Sequence, residues 1–224
     1  MSENTYKITF TLLTPMAFIE LPTFDGVLSY AFAREKMRES KAGFQQKLNY
    51  EPDELIDFSD MPITMHSNGY FMASSMFFSD IEILEDTQRW RKRWDCKNDK
   101  IADFGKNKRK IDVSRGKFKS YDMPLSTKLI EKCWFYFQSE HIKEVERLVF
   151  KWIHFLGKKR SQGYGAIKGF KIESAEFDFN KTFRPIPTKF INTGNFEKVN
   201  FNYCAWRPPY WLPANFENCI VVDF

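Results

Sequence analysis

Histidine and cysteine are both scarce in this chain, with three of the first and four of the second in 224 residues. The cysteines stand at 96, 133, 204 and 219, a spacing that excludes paired CxxC metal knuckles and a compact disulfide framework. They read as reduced thiols with packing roles. His66, His141 and His154 form no HxxxH pair and lie beside no paired aspartates, so neither a metal nor a cofactor is expected. Long apolar runs are missing too. The opening MSENTYKITF has no basic segment leading into an apolar core, and the weakly charged stretch after it is interrupted by Pro15 and Glu20. A cytoplasmic chain without a membrane segment is expected. There is no repeat at a fixed period and no low-complexity tract, which argues against a solenoid or a disordered chain.

What is present is aromatic and basic. Hydrophobic residues make up 43% of the chain and 24 of them are Phe, enough to fill a core. The net charge of +5 hides an asymmetry. Between Arg89 and Lys119 there are 13 Lys or Arg against four Asp, a local charge of +9 that leaves −4 on the remainder. A basic segment on a slightly acidic body is the electrostatic footprint expected for a polyanion partner.

The hydrophobic pattern orders the chain. Residues 6–13, YKITFTLL, alternate as a strand, and TFDGVLSYAFAREKMRES follows as a helix that Thr23 or Asp25 can cap. PITMHS and YFMASSMFF are β-prone and joined by Asn68-Gly69, which predicts a hairpin. Residues 80–125 break away as a basic insertion, either a β-hairpin arm or a partly ordered loop. KLIEKCWFYFQS then predicts a strand over 132–138. HIKEVERLVFKWIHFL places Ile142, Val145, Leu148, Val149, Trp152, Ile153 and Leu156 on one helical stripe, and AIKGFKIESAEFDF alternates again. The pattern predicts an α+β, ferredoxin-like (RRM-like) domain over 1–177, with an antiparallel sheet and both helices on one face. A Pro-rich tail, 178–224, is expected to wrap it irregularly, with CIVVDF adding at a sheet edge.

Between the second helix and the last strand lies LGKKRSQGYGAIKGF, residues 156–170. Its glycines allow close backbone approach and its cations suit phosphate, yet it matches neither a Walker loop nor a dinucleotide fingerprint. Leaving a helix C-terminus, it would face the negative end of the dipole, so Lys158, Lys159 and Arg160 must supply the attraction. An extended, many-phosphate ligand suits that arrangement. The bland alternative is that Gly157 merely ends the helix as its C′ residue.

GKKRSQGYGAIKGF after an amphipathic helix resembles the glycine-rich loop of the RAMP superfamily of CRISPR proteins. FDGVLSYAFAREKM and the WRPPYW tail are similar to the handle-binding RAMP subunit of type IV CRISPR effector complexes. The resemblance implies a non-catalytic subunit that holds the 5′ handle of the guide RNA. It would cap the ribonucleoprotein and contact the adjacent backbone subunit and the large subunit, with target DNA as a further candidate partner. Carried onto this sequence, it makes Lys158, Lys159, Arg160, Ser161, Gln162, Gly163 and Tyr164 candidate RNA contacts. The basic insertion corresponds in position to the thumb of such subunits, and adds Arg89, Arg91, Arg93, Lys108, Arg109, Lys110 and Arg115.

Two further patterns carry chemistry. QRWRKRWD interleaves Trp90 and Trp94 with cations, either as a single-strand contact surface or as a helical turn with both tryptophans inward. Some RAMP relatives cleave repeat RNA without metal, and here His66 with Lys158 or Tyr164 is the candidate set for that alternative. Lys168-Gly169-Phe170-Lys171-Ile172 only half echoes the RNA-recognition signature, so base stacking on the sheet face is not expected.

Overall fold

The computed structural model describes residues 4–18, 20–39, 56–78, 85–95, 97, 112–179, 184–190 and 200–221. Strand β1 (Thr5–Leu12) is followed by the short β2 (Met16–Ala17) and helix α1 (Phe24–Glu39). Next come β3 (Phe77–Phe78), β4 (Glu85–Lys92), β5 (Tyr121–Lys128) and β6 (Lys132–Gln138), then helix α2 (Ile142–Trp152) and β7 (Ile167–Ser174). The chain closes with β8 (Ile186–Pro187), β9 (Asn200–Ala205) and β10 (Phe216–Val221).

The described strands form three antiparallel sheets, ordered β3-β6-β1-β7, β2-β5-β4 and β8-β10-β9. Alternation sets the faces of the first. Ile8, Phe10 and Leu12 of β1 and Cys133, Phe135 and Phe137 of β6 turn inward, and the residues between them turn outward. Against the inward face pack Phe24, Leu28, Ala31 and Phe32 of α1 and Val145, Leu148 and Val149 of α2. Phe24 bridges both layers, with its ring 4.6 Å from that of Phe137 and 5.6 Å from that of Phe135. Truncating one such buried phenylalanine to Ala costs about 3–5 kcal/mol.

The helices are also clamped by charge. Glu35 of α1 accepts hydrogen bonds from Lys151 Nζ at 2.8 Å, Trp152 Nε1 at 2.7 Å and Arg147 Nη1 at 3.0 Å. Its carboxylate is only 13% exposed, and the Lys151 ammonium leads in holding its pKa down to about 2.

Four expectations change. Asn68-Gly69 forms a tight turn with Gly69 at φ +84, but only a single bridge, Met65 with Phe71, joins its flanks instead of a full hairpin. Helix α2 stops at Trp152, because Ile153 leaves helical geometry at ψ 90 and Phe155 then bridges to Ala166, so Gly157 does not cap it. QRWRK is strand, not helical turn, and pairs along β5 in continuous register. The C-terminal segment is a three-stranded sheet in which β10, containing Cys219 and Ile220, is the central strand and not an edge addition.

That sheet is fastened to the body by a buried network absent from the sequence expectations. Arg184 and Asp25 are both fully buried, with Arg184 Nη2 donating to Asp25 Oδ2 at 3.0 Å, to Trp206 O at 2.6 Å and to Tyr210 OH at 2.7 Å, while Nη1 donates to Phe71 O at 2.8 Å. The Tyr210 hydroxyl donates to Asp25 Oδ2 at 2.8 Å and lies 2.7 Å from Thr23 Oγ1. Burial is the main reason the Tyr210 pKa is raised, so it stays a neutral donor.

Candidate nucleic-acid interface

Beyond α2 the chain makes a compact crossing whose shape is set by backbone contacts. Leu156 N–H donates to Gly165 O at 2.8 Å, Lys158 N–H to Ala17 O at 2.7 Å, and Gly165 N–H to Pro15 O at 2.8 Å. Thr14 ties the far side. Its Oγ1 donates to Gly163 O at 2.6 Å and accepts from Ala166 N–H at 2.8 Å. Arg160–Gln162 form one 3₁₀ turn between Lys159 at φ 60 and Gly163 at φ 86.

The three glycines serve different ends. A Cβ on Gly165 (φ +67) would fall 1.9 Å from Leu156 O, and one on Gly157 (φ +79) 2.5 Å from Ala17 O. Both are held by close approach. At Gly163 a Cβ would meet no atom within 4 Å, so only its left-handed backbone favours glycine there.

This crossing forms one wall of an open cleft of about 840 Å³, completed by the first turns of α1 and by the C-terminal sheet. Lys158 and Arg160 line it together with Glu20, Tyr30 and Asn202. The Arg160 guanidinium lies 4.4 Å from the centre of the Tyr30 ring, a cation–π stack at the rim. Among the described residues neither Lys158 nor Arg160 forms an ion pair, so their charge faces the cleft uncompensated except by Glu20. Ser161 and Gln162 are exposed on the outer turn and Tyr164 is half-buried.

Among the described residues the basic insertion contributes a β-ribbon, β4 paired with β5. Its base is β2, where Met16 and Ala17 pair with Lys128 and Thr127, and Ala17 also bridges to Lys158. One residue thus joins the ribbon to the glycine-rich crossing. Arg91 pairs with Asp122, five residues from Thr127, which carries it about 17 Å out from that junction at ~3.3 Å per residue. Arg89 Nε and Arg91 Nε donate to the two oxygens of Asp122 at 3.0 and 3.1 Å. Arg89 leads in lowering the pKa of Asp122. Arg93 is exposed just past β4, and Arg115 pairs with Asp112 at 2.7 Å. Lys108, Arg109 and Lys110 lie outside the described residues.

His66 sits elsewhere. Its Nδ1 accepts the Asn68 N–H at 3.1 Å and its ring stacks on Tyr70 at 4.5 Å, so it shapes the turn and does not line the cleft with Lys158. Among the described residues no group of three His, Cys, Asp or Glu is placed to hold a metal ion. No described helix is long and apolar enough to cross a membrane.

The family model for CRISPR type IV associated protein Csf3 matches residues 4–222. The chain belongs to the Csf3 family. No curated protein matches it. The match spans the sheet, the ribbon, the glycine-rich crossing and the C-terminal sheet of this Csf3 family member, so the cleft lies within the shared region. Sequence reasoning found the cations of the crossing but missed Thr14, Ala17 and Tyr30, which position them. Only Pro15, breaking the chain between Thr14 and Met16, hinted at a turn there.

Proposed function

We propose that this Csf3 family member is a non-catalytic guide-RNA-binding subunit of a type IV CRISPR ribonucleoprotein. It would hold the 5′ handle of the guide, cap the complex there and pack on the adjacent backbone subunit. Type IV membership is given by the family; the handle-binding role is the step beyond it. The observation that carries it is the double pairing of Ala17, with Thr127 of the basic ribbon on one side and Lys158 on the other. Two cationic elements far apart in sequence thereby form one continuous edge, as an extended polyanion requires. The order β3-β6-β1-β7 with α1 and α2 on the inward face supports a ferredoxin-like domain from which the ribbon extends as a thumb.

If about six phosphates are neutralised, log K for single-stranded RNA should fall with log salt at a slope near −4. Fluorescence anisotropy with a labelled guide bearing its repeat-derived 5′ end, from 50 to 200 mM KCl, measures this. Changing Lys158, Lys159 and Arg160 together to Glu should weaken binding at least tenfold and flatten the slope. Binding indifferent to salt, or to the triple change, refutes the proposal. Repeat RNA incubated with the protein in EDTA should stay intact; a single discrete cut would show an enzyme instead.

A further inference from the structure

A seat built only for phosphates has no use for a carboxylate, yet one lines the cleft beside the crossing. Glu20 is exposed there with Lys158, Arg160 and Asn202. Among the described residues none of these four side chains forms a hydrogen bond or an ion pair, so Glu20 does not neutralise the two cations it shares the cleft with. Its place is on the side of the C-terminal sheet. Asn202 and Cys204, two apart on β9, both line the cleft, and the Cys204 thiol, influenced chiefly by its contact with Cys219, also feels the Glu20 charge.

The rest of the lining is largely apolar. Phe18, Leu21, Val27 and Phe155 are half-buried around it. At about 840 Å³ the cleft falls within the range of about 300–1,000 Å³ in which apolar walls and a few polar groups hold and orient one small ring system. A single splayed base suits it. The Tyr30 ring already carries Arg160 on one face, so such a base would be held by the apolar walls and recognised at its edge.

The edge chemistry narrows the choice. An ionised carboxylate only accepts hydrogen bonds. On the Watson–Crick edge guanine alone sets two donors side by side, N1–H and the 2-amino group. Adenine and cytosine place an acceptor nitrogen next to their amino group, and uracil flanks its one N–H with two carbonyls, so each would set a lone pair against the second carboxylate oxygen. The Asn202 amide, which can donate, complements the guanine O6.

We propose that Glu20 is the specificity-determining residue of this cleft, accepting from N1–H and the 2-amino group of one unpaired guanine in bound RNA, with the flanking phosphates at Lys158 and Arg160. This rests on the guide-RNA reading above and adds a base preference to it. A basic side chain of a protein partner would also satisfy Glu20, but Lys158 and Arg160 would repel it.

Fluorescence anisotropy on the full chain, with fluorescein-labelled rU10 and the same decamer carrying a single central G, A, C or inosine, tests the proposal. The G decamer should bind about 5- to 150-fold tighter than rU10, and inosine, which lacks the 2-amino group, should fall between them. Glu20→Gln, at an exposed position without a partner, should bring the G-to-U ratio close to 1 while rU10 binds as well as before or better. Asn202→Ala should lower the ratio less. If Glu20→Gln strengthens every decamer equally and leaves the ratio unchanged, Glu20 only opposes phosphate and the guanine proposal is overturned. Salt-dependent binding without any preference for G in the unaltered chain overturns it too, and in both cases guide binding stands. Binding indifferent to salt and to the Lys158/Lys159/Arg160 change removes the guide-RNA reading itself, and the proposal with it.

Discussion

Replacing Gly165 by Ala and, separately, Gly163 by Ala isolates the close approach that shapes the crossing. Both residues have left-handed φ, so each substitution carries the same backbone penalty of about 1–2 kcal/mol. Only at Gly165 does the new methyl also collide, 1.9 Å from the carbonyl oxygen of Leu156. Relieving the overlap must separate the two strands of the crossing. The Leu156 N–H bond to Gly165 O and the Gly165 N–H bond to Pro15 O, both 2.8 Å, would then be strained or lost. Each contributes about 1 kcal/mol net, and each buried group left unpaired costs about 1–3 kcal/mol. Gly165→Ala should therefore destabilise by about 4–6 kcal/mol and Gly163→Ala by no more than about 2. For a chain of this size a difference of about 2–4 kcal/mol separates their melting temperatures by about 4–16 °C, at 2–4 °C per kcal/mol. Thermal unfolding followed by circular dichroism measures the pair, and equal losses would refute the argument from close approach.

Two further outcomes follow from buried charge. Glu35 has a folded pKa depressed from 4.5 to about 2, so its stabilisation is complete above pH 4.5 and fades as the pH falls toward 2. At about 1.4 kcal/mol per unit this is about 3 kcal/mol at low ionic strength, more than half of it lost by pH 3. Urea midpoints at pH 7 and pH 3 should differ markedly less in Glu35→Gln than in the unaltered chain. Arg184→Met leaves the Asp25 carboxylate buried without its cation and should cost about 3–5 kcal/mol, whereas adding Asp25→Leu should recover part of it. A double-mutant cycle in urea reads the coupling, and additive losses would show that the pair does not fasten the C-terminal sheet.

Periodicity made β1, β6, α2 and β7 legible, because each buries one face on a single core and a one-residue slip would expose it. The ribbon was legible as an excursion, since its charge has no place in a core. What stayed hidden depends on pairings too short or too distant to leave a pattern. Strand β2 is two residues long, and its importance comes from lying between Thr127 and Lys158. Asp25 and Arg184 are 159 positions apart; Asp25 reads as a candidate helix cap, but its carboxylate is buried against Arg184, whose partner no local pattern announces. The five prolines of the tail suggested irregular chain, yet Pro187 sits in the short edge strand β8, where proline is tolerated. The expectation that α2 would run to Leu156 failed because Ile153 and Leu156 are buried without being helical.

The local charge of +9 in the sequence is also distributed unevenly once folded. Arg89 and Arg91 share Asp122, so that part of the ribbon presents +1, and Arg115 with Asp112 presents none. These pairs are exposed and screened by solvent, so an arriving phosphate can take over either arginine at small cost while releasing Asp122 to solvent. Lys158 and Arg160 need no such exchange, since they face the cleft with no ion-pair partner among the described residues. The first contacts of a polyanion should therefore form at the crossing, and the ribbon should engage second. Removing the competing carboxylate by Asp122→Asn should raise RNA affinity, because Arg89 and Arg91 would meet phosphate without first losing a partner. If affinity fell instead, the aspartate would be holding the two arginines in their binding geometry rather than competing for them.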